Sequence, residues 1–249
     1  MSQMKSNILE NESLEDLQCG GLFLIQKKDG FRFGTDAVLL SDFAKNINSK
    51  KTLDLCTGTG IIPMLLSAKT KTPEIYGLEI QQDIADMAKR SVIHNKLEER
   101  VEIKQGDLKN ALSYYQASSF GLVTCNPPYM KPGAAVLNEN DNKIISRHEV
   151  MCTLEDVIRV SSKLLKQGGH LAMVHRPNRL VDVLTLMRKY FIEPKNIRFV
   201  HSSKDKSPIL FLVDGMLRAN GDIKILPPLY LYDEDGKETE ELKRIYERN

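Results

Sequence analysis

The 249-residue chain has no long apolar segment. Its apolar runs, such as residues 61–66 and 208–213, are far shorter than the roughly 18 residues that cross a bilayer. We therefore do not expect an integral membrane protein. The first 18 residues carry four acids against one lysine and lack the apolar centre of a signal peptide, so a cytoplasmic location is predicted.

Cysteine and net charge are also scarce. The four cysteines, at positions 19, 56, 125 and 152, form neither a metal-binding pair nor a dense disulfide framework. They are expected to be free thiols, and no metal site is predicted. Net charge is only +2, but residues 151–220 hold 12 Lys and Arg against 6 Asp and Glu. That basic third indicates either an acidic partner or a solvated surface.

Without repeats or low-complexity tracts, the chain alternates short apolar runs with helical periodicity. The predicted class is α/β, a Rossmann-like doubly wound, mostly parallel seven-stranded sheet with an antiparallel edge strand, preceded by an N-terminal hairpin and helix. The strands are predicted at 52–56, 74–80, 101–105, 120–125, 169–175, 197–201 and 209–213, with short ones at 223–226 and 230–232, and the helices at 61–69, 82–95, 154–165, 180–190 and 238–247. The hairpin is predicted over 22–33 and the first helix begins after Thr35 as its N-cap.

The first candidate site is the sequence DLCTGTG at residues 54–60, where a buried strand turns into a helix. Gly58 and Gly60 allow the backbone to approach a ligand at the helix N-terminus. A dinucleotide fingerprint requires a third glycine where Pro63 stands, and no Walker lysine follows. A tight turn without a ligand is the alternative.

Two carboxylates follow the next strands. Glu79 lies 21 residues after Gly58, the spacing at which an acid accepts both ribose hydroxyls of an adenosine-bearing cofactor. Asp107 follows the third strand, where it either accepts from a base amine or caps the next helix. If Glu79 is considered without Gly58, the alternative is an ordinary solvated acid at the end of a strand.

The sequence Asn126-Pro127-Pro128-Tyr129 directly follows the fourth strand. An exocyclic amine of a base is a poor nucleophile until acceptors hold both of its hydrogens. The Asn126 side-chain oxygen and the Pro127 carbonyl supply two acceptors, and the Tyr129 ring offers a stacking surface. Read alone, the segment also fits an ordinary β-turn.

Together these motifs resemble the class I S-adenosyl-L-methionine-dependent amino-methyltransferases that carry an (Asp/Asn/Ser)-Pro-Pro-(Tyr/Phe) turn. The segment FRFGTDAVLL at residues 31–40 is similar to that of the bacterial tRNA(Val) adenine-37 N6-methyltransferase family. The resemblance is firm over residues 31–129 and thinner beyond. Cys56 replaces the first glycine of the usual loop.

The resemblance implies one methyltransferase domain over 1–249, with residues 1–50 closing the cofactor pocket and 51–249 forming the catalytic core. The cofactor site it implies comprises Thr35, Asp36, Asp54, Thr57, Gly58, Gly60, Glu79, Ile80, Asp107, Leu108 and Asn126. The catalytic turn is Asn126, Pro127, Pro128 and Tyr129, and the substrate-binding candidates are Tyr129, Lys131, Arg147, Arg176 and Arg179.

The favoured substrate is N6 of adenosine 37 in a tRNA anticodon loop, since the flanks are too short for a protein- or DNA-recognition domain. His148, Lys204 and Lys206 are further basic candidates for the RNA rim. Guanine N2 in ribosomal RNA and a protein glutamine amide are alternative acceptors. A non-catalytic S-adenosylmethionine-binding module and an NAD-dependent oxidoreductase are the other classes considered, and the oligomeric state stays open.

Overall fold

Short, continuously apolar segments form the centre of a β-sheet. The computed structural model describes residues 8–28, 34–127 and 152–247. All six residues of the strand Phe120–Cys125 are buried, as expected of a strand covered on both faces.

The strands are β1 (Glu12–Asp16), β2 (Phe23–Lys27), β3 (Lys51–Leu55), β4 (Glu74–Glu79), β5 (Val101–Gln105), β6 (Phe120–Cys125), β7 (Leu165–His175), β8 (Ile192–His201), β9 (Pro208–Leu217), β10 (Lys224–Ile225) and β11 (Leu229–Tyr230). The helices are α1 (Thr35–Ala44), α2 (Ile61–Lys69), α3 (Gln82–His94), α4 (Ala111–Tyr114), α5 (Leu154–Leu164), α6 (Leu180–Lys189) and α7 (Glu240–Ile245). The main strands and helices thus lie close to their predicted positions.

The large sheet has the order β10-β8-β9-β7-β6-β3-β4-β5, and β11 pairs with another part of β8. Strands β3 to β7 are mutually parallel, which confirms the predicted α/β class. β9 is antiparallel to both β7 and β8. The antiparallel strand was predicted at the edge, but it lies one position inside, because β8 pairs with its outer side.

The order of the strands reverses between β3 and β6. From β3 the chain continues outward through β4 and β5, and then returns to place β6 on the other side of β3. A crevice opens at such a switch point, outside the carboxyl ends of the strands. The glycine turn follows β3 and Asn126 follows β6, so the fold brings the two strongest sequence motifs to this crevice.

Helices cover both faces of the sheet. On one face, α1, α2, α3 and α7 pack over a core that includes Leu40, Leu65 and Leu242. On the other, α4, α5 and α6 pack over a core that includes Phe120, Val157 and Met187. No helix in the described ranges is long and apolar enough to cross a membrane.

The N-terminal hairpin differs from its prediction. β2 pairs antiparallel with the preceding β1 through a turn near Cys19, so the hairpin in the structure begins before the predicted range 22–33. Residues 29–33, which include most of the turn predicted after Lys28 and the second predicted strand, lie outside the described ranges. β1 was missed because its sequence, ESLED, lacks apolar alternation. It is held instead by a two-point ion pair between Glu12 and Arg90 of α3.

Candidate active site

The turn after β3 is left-handed at three positions. Cys56, Gly58 and Gly60 have φ values of 56°, 57° and 82°. A Cβ added at Gly58 would meet no heavy atom within 4 Å, so the space above it is open. A Cβ at Gly60 would lie 3.2 Å from the Ala88 Cβ, so this glycine allows α3 to pack closely. Cys56 adopts a conformation that favours glycine, which explains why glycine is usual at that position.

Glu79 joins the glycine turn to the start of α3. Its Oε2 accepts from the Gly58 N–H at 2.9 Å, and its Oε1 accepts from the Gln81 N–H at 3.0 Å. The side chain is 3% exposed. Each carboxylate oxygen retains a lone pair, so Glu79 remains able to accept the ribose hydroxyls for which it was predicted. Its role in tying two loops together was not predicted.

Asp54, on β3, is fully buried beside this turn. Its Oδ1 accepts from the Thr124 hydroxyl of β6 at 2.7 Å, whereas Oδ2 has no hydrogen-bond partner among the described residues. Burial raises the pKa of Asp54 to about 7, although the Thr124 hydrogen bond opposes the rise. The buried Thr57 hydroxyl lies close enough to Asp54 to oppose the rise of its pKa, but it makes no hydrogen bond of normal geometry within the described part of the chain.

These buried polar atoms fit an S-adenosylmethionine site. The cofactor carries an ammonium group that needs acceptors, and Asp54 offers one at the crevice. Unpaired buried groups are rare in proteins and indicate a missing partner. The open space above Gly58 and the remaining lone pairs of Glu79 are compatible with the nucleoside end of the cofactor.

Three further cofactor candidates lie at the carboxyl ends of β4 and β5. Asp107 Oδ1 accepts from the Lys109 N–H at 2.8 Å and caps a short 3-10 helix, so the capping alternative is present in the structure. Its half-exposed side chain retains Oδ2 for a base. The Ile80 carbonyl accepts from the side chain of Gln105 at 2.9 Å. Leu108 is buried and provides an apolar wall.

Thr35 and Asp36 form the first turn of α1, directly after residues 29–33. The N-cap is Gly34 and not Thr35 as predicted, and no side chain caps this helix. Asp36 instead contributes an acid to the first turn, where the helix dipole favours negative charge.

Asn126 and Pro127 follow β6 across the crevice from the glycine turn. Asn126 is half-buried and Pro127 is buried. The bond between Thr124 and Asp54 fixes the end of β6 to β3 just before them. Pro128, Tyr129, Lys131, Arg147 and His148 lie outside the described residues.

The basic candidates surround the ends of β7 and β8. Arg176 is exposed after β7. Arg179 forms an ion pair with Asp182 at 2.7 Å and is 14% exposed, which makes it a weaker candidate for RNA contact. Lys204 and Lys206 are exposed in the loop after β8. Burial lowers the pKa of the neighbouring His175 to about 4, so this histidine adds no charge to the rim.

Comparison with known proteins agrees with this geometry. Residues 21–200 match the family model described as the methyltransferase small domain. The chain belongs to this methyltransferase family. It is an S-adenosylmethionine-dependent methyltransferase with the α/β fold expected from its sequence.

The methyltransferase is 28% identical over 183 residues to a protein of Porphyromonas gingivalis, with 71% of each chain covered. It is also 28% identical over 198 residues to one of Bacteroides thetaiotaomicron, covering 79% of this chain and 81% of that one. Both relatives are named tRNA1(Val) (adenine(37)-N6)-methyltransferase.

Solved structures show the same fold. A predicted O-methyltransferase of Agrobacterium tumefaciens superposes with a TM-score of 0.70 at 20% identity, covering 85% of this methyltransferase and 95% of that chain. The 16S rRNA N2 G1207 methyltransferase of T. thermophilus, solved with AdoMet and guanosine, gives 0.61 at 16% identity, covering 84% and 52%.

The methyltransferase shows no group of three or more metal-ligating side chains within the described ranges. Its four cysteines are free thiols. Cys56 and Cys152 approach to 3.9 Å between sulfur atoms beside the glycine turn. The sequence spacing gave no indication of this proximity, since the two residues are 96 positions apart.

Replacing Glu79 with Gln is expected to weaken binding of S-adenosylhomocysteine roughly tenfold or more, because the variant loses a charged acceptor for the ribose hydroxyls. Gln retains one acceptor oxygen, which can pair with one of the two loop N–H groups that Glu79 holds, so the fold is expected to persist. Titration calorimetry measures the change, and Glu102→Gln, exposed on β5, is the control. An unchanged dissociation constant would remove Glu79 from the site.

Replacing Asp54 with Asn is expected to remove a pH dependence of stability in the cofactor-free protein. The folded-state pKa of about 7 lies above the usual value of 3.8, so the folded state retains the proton in this window. The free energy of unfolding therefore falls as pH rises from about 4 to about 7. The amide oxygen of Asn can still accept from Thr124, and Asn carries no charge.

Urea unfolding at about pH 5, 6 and 8 measures this effect, and the exposed Asp235→Asn is the control. The stability of Asp54→Asn relative to the original protein should increase with pH. A difference that is constant across the three pH values would show that Asp54 does not titrate there.

Proposed function

We propose that this chain methylates N6 of an adenine in a tRNA anticodon loop, with adenosine 37 as the target. The observation that carries the proposal is the position of Asn126 and Pro127 at the carboxyl end of β6, across the switch-point crevice from the glycine turn. The names of the relatives from Porphyromonas gingivalis and Bacteroides thetaiotaomicron support the same substrate.

The proposed domain is a single unit over 1–249, in which residues 1–50 close the cofactor pocket and 51–249 carry catalysis. Thr35 and Asp36 lie at the pocket entrance, Gly58, Gly60, Asp54 and Thr57 line the turn, Glu79 and Ile80 hold the ribose, and Asp107 and Leu108 hold the adenine. The bound cofactor supplies an activated methyl group on its sulfonium.

The amine acceptors lie on the opposite side of the crevice. In this proposal the Asn126 side-chain oxygen and the Pro127 carbonyl each accept one hydrogen of the adenine amine. Holding both hydrogens favours a pyramidal nitrogen whose lone pair is available to the methyl group. Alignment of the amine with that methyl group would provide most of the acceleration. The methyl–sulfur bond would break as the methyl–nitrogen bond forms, with the demethylated cofactor as leaving group. The nitrogen, positively charged once it is methylated, would release one proton to water, so no titrating base is needed. Pro128 and Tyr129 complete the proposed turn, with the Tyr129 ring stacking on the base.

The proposed RNA rim consists of exposed cations at one edge of the sheet. Arg176 follows β7, and Lys204 and Lys206 lie in the loop between β8 and β9. Because β6, β7 and β8 run in the same direction, these residues lie at the carboxyl ends of the strands, at the same edge of the sheet as Asn126. Lys131, Arg147 and Arg179 remain proposed contacts of the same kind.

Guanine N2 in ribosomal RNA is the second candidate target. The T. thermophilus enzyme, which shares the fold at a TM-score of 0.61, is named for that atom and was solved with guanosine. An aryl amine of guanine needs the same two acceptors as adenine N6, so Asn126 and Pro127 serve either base.

Parallel incubations of labelled cofactor with total tRNA, with ribosomal RNA and with cell protein, each followed by digestion and mass analysis, test the proposal. N6-methyladenosine is the expected product. Asn126→Ala is expected to lower the single-turnover rate at least a hundredfold while leaving the dissociation constant of the cofactor within several-fold, because the side chain acts on the nucleophile. N2-methylguanosine appearing only with ribosomal RNA, or methylated glutamine in a protein, would overturn the adenine assignment.

Lys204→Gln with Lys206→Gln is expected to reduce the slope of RNA affinity against salt by roughly 1 to 2, because contacts to phosphate release counterions. Affinity should fall similarly for different tRNAs, since such contacts carry little sequence information. The matched control is Lys50→Gln with Lys71→Gln, two exposed lysines at the amino ends of β3 and β4. If only the control pair changes the slope, the RNA lies at the opposite edge.

A further inference from the structure

Gln26 is a buried amide whose hydrogen bonds are missing. The residue lies on β2 and is 1% exposed. Neither its Oε1 nor its Nε2 has a hydrogen-bond partner among the described residues. Burying a primary amide with neither its oxygen nor its nitrogen hydrogen-bonded is unfavourable. The Gln26 side chain therefore indicates a polar partner that is missing from the described residues.

The contacts of β2 locate Gln26 along α3. The Phe23 N–H donates to Asn95 at the end of the helix, and the Ile25 N–H donates to Ser91 one turn earlier. Lys27 forms an ion pair with Asp83 in the first turn. β2 therefore runs antiparallel to α3, towards the helix N-terminus that Glu79 joins to the glycine turn. Gln26 lies near that end.

The face on which Gln26 lies also points to the crevice. Leu24, two residues earlier on the same face of β2, belongs to the core formed by α1, α2 and α3. Within that core, Gly60 of the glycine turn packs against Ala88 of α3. Gln26 lies on the same face of β2 as Leu24, one step nearer to the glycine turn.

Asp54 lies on the same side of the sheet. Its neighbours Leu53 and Leu55 belong to the opposite core, so the Asp54 side chain points to the side covered by α1, α2 and α3. Two buried polar groups without partners among the described residues, Asp54 Oδ2 and the Gln26 amide, thus occupy one side of the sheet near one edge.

We propose that Gln26 binds the amino acid end of S-adenosylmethionine. That end carries a carboxylate, which needs donors, and an ammonium group, which needs acceptors. A primary amide supplies both, through Nε2 and Oε1. In the proposed site, Glu79 and the open space above Gly58 bind the nucleoside end. The inference depends on the cofactor and not on the RNA substrate.

Gln26→Met tests this inference, because methionine has nearly the same shape without the polar atoms. Affinity for S-adenosylhomocysteine, which has the amino acid end, should fall roughly tenfold or more. Affinity for 5′-methylthioadenosine, which lacks that end, should stay within about twofold. Calorimetry with the two ligands measures both values without any RNA.

Two controls sharpen the comparison. Glu79→Gln should weaken both ligands, since both contain the ribose. Gln116→Met, at an exposed position just before the amino end of β6 and away from the crevice, should weaken the binding of neither ligand. If Gln26→Met leaves the affinity for S-adenosylhomocysteine unchanged, or weakens both ligands equally, Gln26 does not bind the amino acid end.

Thermal unfolding provides a readout that does not involve a ligand. Removing an unpaired buried amide should raise the Tm of the cofactor-free protein by roughly 2 to 4 °C. The gain in Tm on adding saturating S-adenosylhomocysteine should shrink. A lower Tm without ligand, together with an unchanged gain, would show that the amide is paired within the protein and would overturn the proposal.

Discussion

The arrangement of the site depends on one buried carboxylate with two backbone partners. Glu79 accepts from Gly58 in the turn before α2 and from Gln81 at the start of α3, and so fixes the relative position of two loops that belong to different βα units. A carboxylate with 3% exposure is tolerated there because these N–H groups replace water. The surface proposed to bind the nucleoside is consequently formed without a ligand, which would reduce the ordering that binding requires.

Most of the architecture could be predicted from local sequence. Buried strands such as Phe120–Cys125 are continuous apolar runs, and the glycines at 58 and 60 identify a turn that needs positive φ. β1 could not be predicted in this way, because it is stabilised by Arg90, which lies 78 residues away in the sequence. The inner position of β9 also depends on contacts between distant parts of the sequence, because β9 pairs with β7 on one side and with β8 on the other.

The candidate site was predictable where chemistry follows directly from residue type and spacing. Glu79 and Asn126 were predicted in this way, and both lie at the carboxyl ends of their strands, next to the switch point. The lack of partners for Asp54 Oδ2 and for the Gln26 amide among the described residues could not be predicted, since a sequence shows neither burial nor missing partners. A buried polar group without a partner costs folding free energy, and a polar ligand that pairs with it recovers that cost. Exchange of stability for binding is common at functional sites.

The inner position of β9 affects the order of events during synthesis. β8 leaves the ribosome before β9, yet in the finished sheet it reaches β7 only through β9. Until residue 217 has emerged, the free edge of β7 has no native partner, and β8 has no place in the sheet. An eleven-residue strand with an unpaired edge is an aggregation hazard in a nascent chain. The helix α6, which precedes β8, packs on a face of this half-sheet, and the edge of β7 is closed only when β9 pairs with it.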